Sequence, residues 1–339
     1  MSCVADSASP RVLVAGASGY AGALAARLID AHPAFELAAI TSRSDAGTRL
    51  DELYPHHRVA FELEELDLDA HGQVDAAIVA YPHGAAAPVV RELRGRGVKV
   101  VDLSADFRLR DVATYEQWYV EHPAPELLGE AVYGLTELYR EQIAGASLVA
   151  NPGCFPTAAL LTLAPLARAG MIADFVIDAK TGVSGAGRAA TQTTHFVSVA
   201  ENVVPYKVGA HRHTPEIDQE LAVLGADVRT TFVPHLVPLD QGELVSCYVT
   251  TTRPVDQDEL DALYAAAYSG EPFIELAQVP PGVRDVRETN RCRIFAHADA
   301  RTGKALMFGA IDNLWKGTSS QAVQNLNLMF GRPETEGLS

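Results

Sequence analysis

Residues 11–41 read RVLVAGASGYAGALAARLIDAHPAFELAAIT. The opening apolar run, with no polar alternation after Arg11, is the pattern of a strand buried on both faces. Gly16, Gly19 and Gly22 follow at spacings of three. Beyond them Leu24, Leu28 and Ile29 recur at helical spacing among alanines, the strongest helix formers. FELAAIT (residues 35–41) then reads as a second strand. Strand, glycine turn, helix and strand make a βαβ unit, and a helix opening on glycines leaves free backbone N–H groups where a pyrophosphate binds. The spacing departs from G-x-G-x-x-G because Ser18 holds the middle position, where its hydroxyl can itself donate to a phosphate.

Outward from this unit the alternation repeats. Val74–Tyr81 and Val98–Ser104 read as strands around a helix at Ala85–Arg96, and Ser147–Gly153 adds a short strand. Residues 1–150 are therefore expected to form a doubly wound parallel sheet of the Rossmann type, with helices on both faces. After Cys154 comes a helix, AALLTLAPLARAG, for which Gly170 is a suitable end. The character then changes: Phe175–Thr181, Val228–Val237, Glu243–Thr252, Arg291–Ala298 and Ala305–Ile311 are longer strand-like runs with few helices between them. They predict a second, α+β domain over residues 151–313 with a largely antiparallel or mixed sheet. The last helical pattern, SSQAVQNLNLMF, is expected to return with residues 314–332 and complete the first domain.

A chain of 339 residues exceeds the roughly 150 of one domain, which agrees with two cores. Its 27 Lys and Arg against 43 Asp and Glu leave a net charge of −16, a field that repels nucleic acid and anionic lipid, so neither is an expected partner. No run approaches the roughly 18 apolar residues of a membrane span, and the first ten residues lack a basic and then apolar leader, so the expected location is the cytoplasm. Cys3, Cys154, Cys247 and Cys292 lie far apart with no C-x-x-C pair, so neither disulfides nor a zinc site are expected.

Four segments carry chemistry. At the end of the second strand, Thr41-Ser42-Arg43-Ser44 offers a guanidinium between hydroxyls instead of the acid that holds an NAD ribose, which favours NADP although Asp45 is close. Asn151-Pro152-Gly153-Cys154 places a thiol at the carboxyl end of a strand and the start of a helix, where the helix N-terminus favours the nucleophilic thiolate. Gly182-Val183-Ser184-Gly185-Ala186-Gly187-Arg188 either wraps an anionic group or forms an ordinary hairpin turn. His211 and His213 share one side of an extended segment; with no third ligand nearby, acid/base work by one of them is expected over a metal site. Cys247 and Cys292, within strand-like runs, read as buried hydrophobes, and Cys3 as part of a frayed terminus.

With these residues in place, GASGYAG, DLSADFR, NPGCFPTA, GVSGAGR, HRHTPEI and DNLWKGTSSQAVQNLN stand in an order that resembles the N-acetyl-γ-glutamyl-phosphate reductases of arginine biosynthesis. The likeness runs nearly the whole length, and is more distant to aspartate-semialdehyde dehydrogenases. It implies an NADP-dependent, phosphorylating aldehyde dehydrogenase that reduces an acyl phosphate through a thioester on Cys154. His211 would be the acid/base, with His213 as the alternative. It further implies NADP contacts at Gly16, Ser18, Gly19, Tyr20, Ala21, Ser42, Arg43, Gly185 and Asn313. Substrate contacts fall to Arg108 (for the phosphate), Asn151, Ser184, Arg188, Lys207 and Arg212, with Arg188, Lys207 and Arg212 all open for the α-carboxylate. It implies no metal, and a homodimer or homotetramer joined through the second domain. Two other readings are an aminoadipyl phosphate one methylene longer, which a pocket discriminates by only about 1–3 kcal/mol, and a non-enzymatic NADP-sensing module.

Overall fold

The structure is a computed structural model that describes residues 9–338, so Cys3 lies outside the described residues. The first sheet holds β1 (Arg11–Ala15), β2 (Glu36–Thr41), β3 (Leu63–Glu64), β4 (Ala76–Val79), β5 (Lys99–Asp102), β6 (Val132–Tyr133) and β7 (Leu148–Ala150). They run in the order β3-β2-β1-β4-β5-β7-β6, all parallel. Alternation along β1 divides its side chains between two cores. Val12 and Val14 pack with Leu24, Leu28 and Ile29 of the helix Tyr20–Asp30, whereas Leu13 and Ala15 pack with Val89, Val90 and Leu93 of the helix Ala87–Gly95. This is the doubly wound sheet anticipated from the apolar runs, and its order reverses between β1 and β4, opening a crevice at their carboxyl ends.

The second sheet holds β8 (Ile172–Thr181), β9 (Val204–Pro205), β10 (Thr231–Leu236), β11 (Glu243–Thr251), β12 (Ile274–Leu276), β13 (Cys292–Asp299) and β14 (Lys304–Ile311), in the order β12-β13-β14-β11-β8-β10-β9. It is mixed: β8 pairs parallel with β10, and β12 with β13, while the central β8-β11-β14-β13 run is antiparallel. Val245, Cys247 and Val249 of β11 turn inward against the helices Cys154–Arg168 and Gln257–Tyr268, with Tyr248 outside. The helix Cys154–Arg168 is buried from Phe155 to Ala167 and begins just after β7, so the body that fills the second core carries Cys154 at the carboxyl end of a strand of the first sheet.

The helix Ser320–Met329 lies with Val323, Leu326 and Met329 in the core of the first sheet. Its polar residues are buried too: Gln321, Gln324, Asn325 and Asn327 have no exposed surface. The Lys316 Nζ meets Glu137 Oε1 at 2.6 Å and Gln324 Oε1 at 2.8 Å, with no exposure on either member of the ion pair. No helix among the described residues is long and apolar enough to cross a membrane.

Candidate active site

The site grows from the turn after β1. Gly16 has φ +91°, and a Cβ there would stand 2.7 Å from the Ala80 carbonyl oxygen; a Cβ on Gly22 would strike the Gly16 carbonyl. Both positions exclude side chains and let the turn lie flat against β4. Gly19 precedes the helix without a side-chain cap, so the N–H groups of Tyr20, Ala21 and Gly22 form an open first turn facing the crevice. Ser18 Oγ and Ser42 Oγ are 2.8 Å apart, and Ser42 Oγ also accepts from the N–H groups of Ser44 and Asp45, locking the end of β2 to the turn. Arg43 points outward over the Tyr81 ring at 4.9 Å and lines a cleft with Glu65 and Leu66. A turn that admits no side chains, an unfilled helix end and an exposed guanidinium over an aromatic face fit a nicotinamide dinucleotide. Among the described residues no group of three or more His, Cys, Asp or Glu is placed to hold a metal.

Arg188 lies at this turn. Its Nη1 donates to Asp45 Oδ2 at 2.9 Å and to the Ser18 carbonyl at 3.3 Å. The guanidinium and the Ser44 hydroxyl hold the Asp45 carboxyl down at about 2, so the one acid near the strand end is neutralised in place. The Arg188 guanidinium, one of the three cations open for the substrate carboxylate, is paired with Asp45 in this structure.

The glycine loop is no plain hairpin: Val183–Ala186 coil into a tight helical turn. Ser184 donates its hydroxyl to the Asp240 carbonyl at 2.6 Å and accepts from Asn313 Nδ2 at 3.1 Å, while Asn313 Oδ1 accepts from the Gly242 N–H at 2.7 Å. Ser184 and Asn313 thus fasten the loop to the turn before β11. In this structure Ser184's only proton is spent on the main chain. Gly185, exposed at the loop's bend, faces Asn313 Nδ2. Tyr20, Ser184 and Arg188 line one cleft between the β1 turn and this loop.

Cys154 is half-buried at the first position of its helix, capped by Gly153. A Cβ on Gly153 would stand 2.5 Å from His213 Nε2, so the glycine gives the imidazole its seat. The Gly153 N–H and the Tyr133 hydroxyl both donate to Glu216 Oε1, at 2.9 and 2.8 Å. The segment holding the two histidines is a turn, not extended, yet their rings still meet, with centroids 4.9 Å apart. His211 packs edge-on to Phe155, Tyr206 and Phe232, and its Nδ1 accepts from the His213 N–H at 3.2 Å, which assigns its proton to Nε2. Burial, with Lys207 and Arg212 adding, lowers His211 to about 4, and burial holds His213 well below the ordinary histidine value. Both imidazoles are neutral near pH 7.

The thiol itself departs from expectation. Burial and the Glu243 carboxyl push Cys154 well above the ordinary cysteine value, outweighing the helix N-terminus. Two further candidate residues, Arg108 and Asn151, make internal hydrogen bonds here. Arg108 is buried with Nε on the Asn151 carbonyl and Nη2 on the Leu103 carbonyl, both at 2.7 Å, and Nη1 toward Glu216 at 3.4 Å, so it braces the Cys154 turn and presents no free fork to a phosphate. The Asn151 side chain donates to the Thr318 carbonyl at 3.0 Å and accepts from Asn325 at 3.0 Å, which ties β7 to the last helix instead of to substrate. Lys207, with φ +47°, and Arg212, over Tyr119 at 5.3 Å, are exposed cations beside His211.

Three residues of this neighbourhood escaped sequence reading. Glu216 stands in the quoted HRHTPEI motif, but its burial was invisible there. His83 lies just past the carboxyl end of β4, a position that α/β topology marks; its Nδ1 accepts from the Ala105 N–H at 3.0 Å. Glu243, at the head of β11, is fully buried beside Cys154.

Comparisons with known proteins bear on the same residues. Residues 11–146 match the family model "Semialdehyde dehydrogenase, NAD binding domain", and residues 154–313 match "Semialdehyde dehydrogenase, dimerisation domain". The N-acetyl-gamma-glutamyl-phosphate reductase of Moorella thermoacetica is 49% identical over 336 residues, 96% of each chain, and that of Desulforudis audaxviator 50% identical over 339 residues, 97% of each. Among solved structures, aspartate semialdehyde dehydrogenase II of Vibrio cholerae superposes with a TM-score of 0.73 at 19% identity, covering 96% of this chain and 99% of that one. The aspartate semialdehyde dehydrogenase of Candida albicans, solved with NADP, gives 0.69 at 13%, covering 95% and 98%. At those identities the structures show the common fold alone. The chain belongs to the semialdehyde dehydrogenase family, in the branch of the N-acetyl-gamma-glutamyl-phosphate reductases.

Proposed function

We propose that this enzyme reduces N-acetyl-γ-glutamyl phosphate to N-acetyl-L-glutamate 5-semialdehyde and phosphate, in the cytoplasm, with NADPH and a thioester on Cys154. The observation that carries the reading is one thiol at a helix start, seated against Gly317 and beside Glu243, whose neighbour Gly242 is held by the same Asn313 that fastens the glycine loop. When bound, the nicotinamide supplies the hydride. Arg43 over Tyr81 would hold a ribose 2′-phosphate through charge-assisted hydrogen bonds, and Arg188 offsets the Asp45 charge that would otherwise repel it.

Cys154 Sγ attacks the acyl carbon and phosphate departs, which divides one hard displacement into two easier steps. The neutral His211 presents Nε2–H as a donor to the acyl oxygen as it gains charge, its ring fixed by the His213 N–H. Lys207 and Arg212, the exposed cations beside His211, hold the substrate's carboxylate and phosphate. The two neutral hydroxyl and amide anchors, Ser184 and Asn313, act by holding the glycine loop. We assign residues 1–150 with 314–332 to the nucleotide-binding unit and 151–313 to a catalytic unit through which the chain forms a homodimer or homotetramer.

The test is Cys154→Ser with intact-mass and peptide mapping of substrate-treated protein. The wild type should carry an acyl adduct on Cys154; the variant should lose turnover while binding NADPH nearly as before. More than a few per cent of residual activity would end the covalent reading. Assaying phosphate-dependent NADP reduction with the glutamate and aminoadipate semialdehydes side by side separates the two chain lengths, and NADPH binding without any turnover would favour a sensing module.

A further inference from the structure

Glu243 is a buried carboxyl that the scheme above does not use. It opens β11, opposite Thr181 of β8 and Ile311 of β14, and has no exposed surface. The preceding Gly242 is pinned by Asn313, so the side chain departs from a fixed point. Gly317 packs against the thiol-bearing side chain: a Cβ on it would stand 2.8 Å from Cys154 Cβ and 3.2 Å from Ile311 Cδ1. Glu243 thus shares its surroundings with Thr181 and Ile311, and through Gly317 with Cys154, and among the described residues neither of its oxygens has a hydrogen-bond partner. Burying such a group unpaired is costly, so its place beside a reacting sulfur calls for a use.

We propose that Glu243 is the base that takes the Cys154 thiol proton and the acid that returns it, an inference that rests on Cys154 being the nucleophile. As Sγ bonds to the acyl carbon, its proton moves to a Glu243 oxygen. Phosphate leaves with the electron pair of the broken C–O bond and takes one proton from solvent. After hydride addition the C–S bond breaks, its electron pair returns to sulfur, and Glu243 gives the proton back as the carbonyl re-forms.

Burial raises Glu243 to about 8, with Asp312 adding to it and the Cys154 and Thr181 side chains opposing. Tyr206 and Cys292 also sense the carboxyl, and Arg108 acts on the thiol. Burial raises the proton affinity of the Glu243 carboxylate and lowers that of the His211 imidazole, so Glu243 outranks His211 as the thiol's proton acceptor.

Iodoacetamide alkylation of Cys154 in the full chain without nucleotide, followed by peptide mapping from pH 5.5 to 9.5, tests this. The wild-type rate should rise with a midpoint near pH 8, and Glu243→Gln should slow it about 10²-fold at pH 8 and abolish that midpoint. A carboxylate that merely repels the thiolate predicts the opposite sign, so equal or faster alkylation of Glu243→Gln overturns the proposal. Should that variant fail to fold, the wild-type profile still decides: no midpoint between pH 7 and 9 overturns the proposal, and a midpoint that Glu243→Asp displaces supports it. Absence of an acyl adduct on Cys154 would refute the nucleophile itself, a separate outcome from a missing midpoint.

Discussion

Replacing Lys316 by Met removes an ammonium group and keeps most of the volume, and the surroundings set the cost. Nζ meets Glu137 Oε1 at 2.6 Å and Gln324 Oε1 at 2.8 Å, and lies 5.5 Å from the Phe273 ring centroid. Without it, Glu137 Oε1 keeps only Gln324 Nε2 at 3.3 Å, and Oε2 has no partner among the described residues. An uncompensated buried carboxylate of this kind costs about 3–5 kcal/mol. Burial pushes Glu137 up, and the ion pair outweighs it, holding the group below its ordinary value. The pair's contribution is therefore present above the unfolded value of 4.5 and fades as pH falls below it. Equilibrium urea unfolding at fixed protomer concentration should show the full loss at pH 7 and a smaller one at pH 4. Lys316→Met with Glu137→Leu should recover most of it, since a well-packed apolar pair is nearly neutral. A single-variant cost under about 1 kcal/mol, or a double variant no better than the single, would refute the reasoning. Because Gly317 seats the Cys154 side chain, kcat should fall with Lys316→Met as well.

Arg43→Ala should raise KM for NADPH by about one to two orders of magnitude and leave the NADH value little changed, since only the 2′-phosphate loses a charge-assisted bond; steady-state kinetics with both cofactors checks this, and equal effects would make Arg43 a folding residue. His211→Asn should lower kcat by about 10²–10³ with a smaller change in KM, the usual loss of one oxyanion donor. Because Nε2–H is present on both the neutral and the cationic ring, the His211→Asn loss should hold across pH while a limb near 8 persists. A loss of this size in His213→Asn with His211→Asn near wild type would exchange the two roles.

The doubly wound sheet was legible because its signals are local. An apolar strand with no polar alternation, Gly16 and Gly22 where no Cβ fits, and helical spacing of Leu24, Leu28 and Ile29 each depend on neighbours a few residues away. The same holds for Cys154, whose Pro-Gly turn and helix are written beside it. Charge state and commitment of side chains were not legible, because they are set by groups remote in sequence. Arg188 reads as a free cation until Asp45 meets it, Arg108 until the Asn151 and Leu103 carbonyls occupy its fork, and Asn151 until Asn325 arrives from the last helix. A helix N-terminus argues for a thiolate at Cys154, and only the folded chain brings Glu243 and enough burial to reverse that. Local periodicity and turn chemistry determine which elements form; the dielectric around each group, and therefore its protonation, exists only once distant strands have closed over it.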